Sequence, residues 1–154
     1  PERQGGVFLI MVTAIVELEI RAMPWESQWE MAMGTDTSSQ QDIFVMYWWN
    51  DLSTPYSYLY SLFHTEDSTL YNLGYYRNTD YDALIDKAQS ESAINIENAE
   101  KDFISAQEIL IKDTPAIFMY DKNVVWVKSP LLKGHKDNPS YPFVVFFYDL
   151  YREK

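Results

Sequence analysis

The sequence predicts a layered α/β or α+β domain, and two observations carry that expectation. Segments rich in β-branched and aromatic residues alternate along the chain with segments of helical period. The run Asp42–Trp49 (DIFVMYWW) also has the length and composition of a strand buried on both faces, and such strands belong to sheets covered by helices.

The elements follow in order. Val7–Val16 (VFLIMVTAIV) is a ten-residue apolar run. It falls well short of the roughly 20 residues that span a bilayer and reads as a buried helix or strand. The flank PERQGG is not basic and no small-residue cleavage site precedes Glu17, so an export signal is expected outside this chain. Glu17–Ala22 (ELEIRA) alternates polar with apolar residues, as a half-buried strand does, and Met23-Pro24 ends it. Trp25–Met33 sets Trp25, Trp29, Ala32 and Met33 at helical spacing, and a polar loop follows over residues 34–41.

After the aromatic strand, Asn50–Pro55 (NDLSTP) is dense in turn formers and contains an acid, Asp51. Tyr56–Phe63 is a short helix and His64–Asn78 an irregular polar stretch. Asn78 or Thr79 caps a helix whose apolar face is Tyr81, Leu84, Ile85 and Ala88. Asn95 caps the next, with Glu97 and Glu100 in its first turn and Ala99, Phe103, Ala106 and Leu110 toward the core. Thr114-Pro115 stops it. Two short strands are expected at Ala116–Tyr120 and Val124–Lys128, and the tail Ser129–Lys154 shows little periodicity.

Composition bounds the function. A chain of 154 residues with 47% hydrophobic content suffices for one packed domain, 1–154. The net charge of −11, with no local cluster of Lys and Arg, repels phosphate backbones and anionic membrane surfaces, so no nucleic acid partner is expected. The absence of cysteine excludes disulfides, thiolate nucleophiles and Cys-ligated zinc. His64 and His135 sit in no metal-ligand pattern and read as surface residues, so neither a metal nor a cofactor is expected. Glu26, Asp42 and Asp51 could be assembled into a carboxylate pair of the glycosidase type, but their spacing does not demand it, and no Gly-x-Ser-x-Gly turn is present. The chain is not expected to be an enzyme. Its 16% aromatic content suits either an aromatic core or a surface that grips a ligand.

The segment Trp48–Tyr56 (WWNDLSTPY) resembles the pocket signature of the family-5 extracellular solute-binding proteins of ABC importers, which take oligopeptides, dipeptides, nickel and some oligosaccharides. Trp48, Asp51, Pro55 and Tyr56 fall in register with it, whereas Tyr47, Leu52 and Ser53 depart from the usual Gly, aromatic residue and first Pro. Four further segments resemble that family in the same order: VELEIRAMPWESQW, YYRNTDYDALIDKA, the Asn95–Asp113 helix with its ThrProAla, and LLKGHKDNP. The likeness spans roughly residues 16–150. The first 16 residues depart from it, being apolar where the family has an amphipathic helix and a Gly turn.

The resemblance implies one lobe of a type II periplasmic-binding-protein-like fold, a mixed sheet flanked by helices, with the chain a C-terminal lobe fragment. Residues 124–154 then form a return segment toward the missing first lobe, with an exposed apolar patch near Val144–Phe147. It implies capture of a small solute, foremost an oligopeptide, for delivery to an ABC permease in the membrane. An oligosaccharide cargo is the alternative, and a truncated interaction module without a ligand a third reading. The setting is extracellular or periplasmic, with any membrane anchor outside this chain.

The resemblance also assigns the ligand-binding residues. Asp51 matches the acid that receives a peptide's α-ammonium group, a charge-assisted contact no neutral acceptor equals. The competing reading is a turn-forming Asp bonded to its own backbone. Trp48 and Trp25 match cleft-lining tryptophans, with core packing as the competing reading. Strand alternation sets Trp48 and Trp49 on opposite sides, and the register favours Trp48 for the cleft.

Overall fold

In the computed structural model, the segments that combine helical period with a capping residue are helices, and the described residues of those expected to be strands form no strand. The structure describes residues 19–49, 51–121, 123–138, 140–141 and 144–154. The Val7–Val16 run and the start of the Glu17–Ala22 segment lie outside the described residues. The chain divides into two units, Pro1–Gln40 and Gln41–Lys154.

In the first unit, α1 (Trp25–Met33) follows Pro24, and Glu26 in its first turn complements the helix dipole. Trp25 and Trp29, one turn apart, stack with ring centroids at 6.2 Å. The Gln40 amide donates to the Gly34 carbonyl at 2.7 Å, just beyond the helix end. Asp36 accepts from the amide and hydroxyl of Ser38 in an Asx turn.

The second unit is built on α2 (Pro55–Phe63), α3 (Thr79–Glu91) and α4 (Ile96–Asp113). Each begins where a side chain can accept an orphan amide. Thr54 accepts from the Ser57 N–H, Asn78 from those of Asp80 and Tyr81, and Asn95 from that of Asn98. Pro55 at the first helical position loses no hydrogen bond there. Thr114 ends α4 in the left-handed region, φ 53°, and its N–H closes on the Leu110 carbonyl.

The buried cluster is Leu59 and Phe63 of α2, Tyr81, Ile85 and Ala88 of α3, and Ala99, Phe103, Ala106 and Leu110 of α4. The sequence placed the α3 and α4 members on these faces. Three alanines at the α3–α4 contact let the two backbones approach closely. Each large apolar side chain contributes roughly 1.5–3 kcal/mol, an upper estimate because unfolded chains already bury some surface. The polar end of the fully buried Tyr81 is satisfied, since its hydroxyl donates to the Leu59 carbonyl at 2.7 Å. Burial pushes that phenol well above its ordinary acidity range.

The expected α/β lobe, a mixed sheet flanked by helices, is overturned. Among the described residues the sheet is one antiparallel pair, β1 (Leu132–Lys133) with β2 (Tyr151–Arg152), in register Leu132↔Arg152 and Lys133↔Tyr151. The architecture is helical. Asp42–Trp49 is no doubly buried strand: Phe44, Met46 and Trp48 are half-buried, while Ile43, Val45, Tyr47 and Trp49 are exposed. The segments 116–120 and 124–128 are not strands either, and Ile117 to Tyr120 and Val125 to Val127 are exposed. Nor do the described residues 19–22 of the first expected strand form one.

The physical reason is that a helix closes its hydrogen bonds within its own sequence, whereas a strand needs a partner segment. β-propensity measures fit to a pleated surface made by neighbours, and a continuous apolar run carries no period to identify them. Near the chain end, Val144 and Phe146 are half exposed, while Phe147 and Tyr148 are open to solvent.

Candidate functional site

The loop between α2 and α3 positions Tyr71, the ring on which Trp48 packs. Glu66 is the organiser: its Oε2 accepts from three successive amides, Leu70 at 2.7 Å, Tyr71 at 3.3 Å and Asn72 at 3.2 Å. A carboxylate at such a concave run of N–H groups fixes the turn around itself. Asn72, 3% exposed, locks the other side. Its amide nitrogen donates to the carbonyls of His64 and Tyr76, and its oxygen accepts from the Tyr76 N–H. Arg77 adds a bond to the Glu66 carbonyl at 2.9 Å.

That loop holds Tyr71, and Trp48 meets it edge to face with centroids 5.1 Å apart. Trp48 is therefore half-buried, and its indole N–H is buried with no acceptor among the described residues. On the other side of the same extended segment, the rings of Tyr47 and Trp49 lie 5.6 Å apart, tilted by 33°, and both are exposed. The alternation expected for Trp48 and Trp49 is present, and the more open indole is Trp49.

Asp51 stands in an exposed bend just before the Thr54 cap of α2. The turn is closed by the Thr54 N–H on the Leu52 carbonyl at 2.8 Å. Asp51 itself has no hydrogen bond or ion pair among the described residues, so its carboxylate is not consumed as the turn former. Trp48 and Asp51 thus lie three positions apart in the second unit. Trp25 belongs to the first unit, partly exposed and stacked on Trp29.

A shallow depression of about 350 Å³ lies elsewhere, lined by Gly134, Lys136, Asp137, Asn138, Phe146 and Asp149. None of Trp25, Trp48 and Asp51 lines it. Lys136 and Asp149, on its wall, pair at 3.1 Å.

The two histidines are not the surface residues expected. Their side chains are only 16% and 15% exposed. His64 stacks on Tyr60 at 4.4 Å. Its Nδ1 donates to the Thr65 carbonyl at 3.0 Å, and its Nε2 faces Asp86 at 3.4 Å and Asp82 at 4.0 Å. His135 lies beside Trp126 and Asp137. Among the described residues, no group of three or more His, Cys, Asp or Glu side chains could hold a metal ion. No helix among them is long and apolar enough to cross a membrane.

Sequence reasoning missed Glu66 and Tyr71, because one acid in a polar stretch carries no periodic signal. The Tyr47–Trp49 pair had a signal, the alternation of the aromatic run, but the run read as buried on both faces. No family model, no curated protein and no solved structure matches this chain.

Proposed function

We propose that this chain captures a small extracellular or periplasmic solute, an oligopeptide foremost, for delivery to an ABC permease in the membrane. The observation that carries this reading is Asp51, an exposed carboxylate without a protein partner among the described residues, placed at the end of an aromatic segment. In this reading it accepts the peptide's α-ammonium group, Trp48 beside it in the second unit supplies indole contact surface, and no bond is made or broken. The reading draws support from the order of the five segments that resemble the family-5 solute-binding proteins, and it makes no use of the sheet that family would imply.

Magnitudes decide what else such a site needs. A solvent-exposed ion pair contributes at most about 1 kcal/mol, whereas breaking a desolvated one costs about 2–5 kcal/mol. Asp51 grips a peptide usefully only when a second surface dries the contact. Titration calorimetry of the chain with short peptides tests this. Asp51→Asn is expected to weaken binding at least about tenfold, and N-acetylated peptides should lose the same amount. Unchanged affinity in Asp51→Asn would remove the ammonium contact.

A second reading rests on the exposed Tyr47 and Trp49 rings, whose faces suit the apolar side of a sugar. Binding of cello- or malto-oligomers, with no response to peptides, selects an oligosaccharide cargo instead.

A further inference from the structure

The outer face of α4 carries a second apolar stripe, distinct from the one that packs on α3. Ile96, Glu100, Ile104, Gln107 and Ile111 follow one another at steps of three or four residues, so they share one side of the helix. All five are exposed, the isoleucines by 56%, 55% and 71%. Along one flank of the stripe run Glu97, Lys101, Glu108 and Lys112, also exposed, and none of the four is in an ion pair within the chain among the described residues. Three isoleucines left in water on a well-capped helix are a face that lacks its partner.

The pattern of charges identifies what covers it. We propose that two copies of this chain pair through α4, antiparallel and centred on Ile104. In that arrangement Ile104 meets Ile104 of the partner subunit at the two-fold axis, and Ile96 meets Ile111 of the partner subunit. The polar positions inside the stripe match as well, Glu100 accepting from the Gln107 amide of the partner subunit. On the flank, Glu97 faces Lys112 of the partner subunit and Lys101 faces Glu108 of the partner subunit. The register that stacks the isoleucines is, to within one residue, the register that pairs every flanking charge with its opposite. An isologous contact of this kind closes by its own symmetry. The parallel alternative would turn this flank away from its counterpart on the partner subunit, so these charges would not pair with one another. The net charge of −11 on each copy opposes association, but at about 0.15 M salt, charges more than about 8 Å apart are screened while contacting pairs are not.

One helix pair buries less than the roughly 1,200 Å² of a stable interface, so association is expected near 100 μM rather than at nanomolar concentration. Sedimentation velocity of the full chain across that range should show a monomer–dimer equilibrium. Ile104→Glu, which sets two carboxylates at the axis, should abolish the dimer while the helical circular dichroism stays unchanged. Lys101→Glu should weaken it about tenfold, and adding Glu108→Lys should restore it, a rescue no general loss of stability produces. The chain has no cysteine, so Ile104→Cys gives a clean crosslink. Facing helices about 8–10 Å apart bring the two Cα atoms within disulfide range. Oxidation should link Ile104→Cys and leave Asn98→Cys, on another side of α4, unlinked. A chain that remains monomeric, or a dimer indifferent to Ile104→Glu, overturns the proposal and assigns the stripe to a different occupant.

Discussion

The Tyr76 hydroxyl donates to Asp113 Oδ2 at 2.7 Å, tying a residue two positions before the α3 cap to the last residue of α4 across 37 positions of sequence. Burial first, and the Asp113 carboxylate second, push the Tyr76 phenol up to about 12, and the same bond holds Asp113 below the usual carboxylate range. A phenol raised from its ordinary value of 10.0 stabilises the fold fully below that pH and loses the contribution as pH rises toward about 12. Tyr76→Phe should therefore lower neutral-pH stability by about 1 kcal/mol, a figure already reduced for solvent screening. It should also flatten the alkaline decline between pH 10 and 12. Tyr81, shifted in the same direction, preserves part of that decline. Urea unfolding at stepped pH reads both effects.

Asn72 is expected to be the most sensitive polar position in the loop. Alanine there removes three hydrogen bonds and strands the carbonyls of His64 and Tyr76 and the N–H of Tyr76. At about 1 kcal/mol or more for each stranded group, Asn72→Ala should cost about 3 kcal/mol. Asn72→Asp should fare no better, because an oxygen would then face two carbonyl oxygens. A shift in the urea midpoint at constant slope checks the prediction.

Tyr76 and Asn72 lie in the stretch between helices where the sequence carries no period. Asn78, Asn95 and the Phe103–Leu110 face were legible because a helix writes its cap and its 3.6-residue period into neighbouring positions. Asp42–Trp49 was misread because a strand needs a partner segment, and a continuous apolar run carries no period to identify one. The adjacency of Trp48 and Asp51 could be seen in sequence. The direction of each indole could not, because it depends on Tyr71, 23 positions away and held by Glu66. The β1–β2 pair was invisible for the same reason, two residues matched to two across a stretch without periodicity.

The two asparagine caps should differ in worth. Asn95 accepts one amide, from Asn98 at 3.2 Å, and Asn95→Ala should cost about 1 kcal/mol. Asn78 accepts from Asp80 and Tyr81 and also donates to Asp113 at 2.9 Å. Its replacement by alanine should cost about 2 kcal/mol, near the upper end for a cap. Thermal unfolding of the two variants side by side should rank Asn78→Ala below Asn95→Ala. The reverse order would mean that the Asp113 bond contributes nothing.

Gly134 controls the one place where the described chain forms a sheet. It follows β1 with φ at 80°, a region an L side chain enters at a cost of about 1–2 kcal/mol. A Cβ there would also collide with the Asp149 carbonyl, which is backbone and cannot swing aside. Gly134→Ala must therefore push Asp149 away, and Asp149 holds Lys136 while its neighbours lead into β2. The Leu132↔Arg152 register and the Lys133–Glu153 pair at 3.0 Å go with it. The helical core shares no residue with this corner, so the loss should stay local. Hydrogen exchange is expected to show faster exchange at the Leu132 and Glu153 amides, which bond to the Ser129 and Leu131 carbonyls in the native chain. Amides of α3 and α4 should keep their protection. Loss of protection in both regions at once would show that the β1–β2 corner unfolds together with the helices rather than on its own.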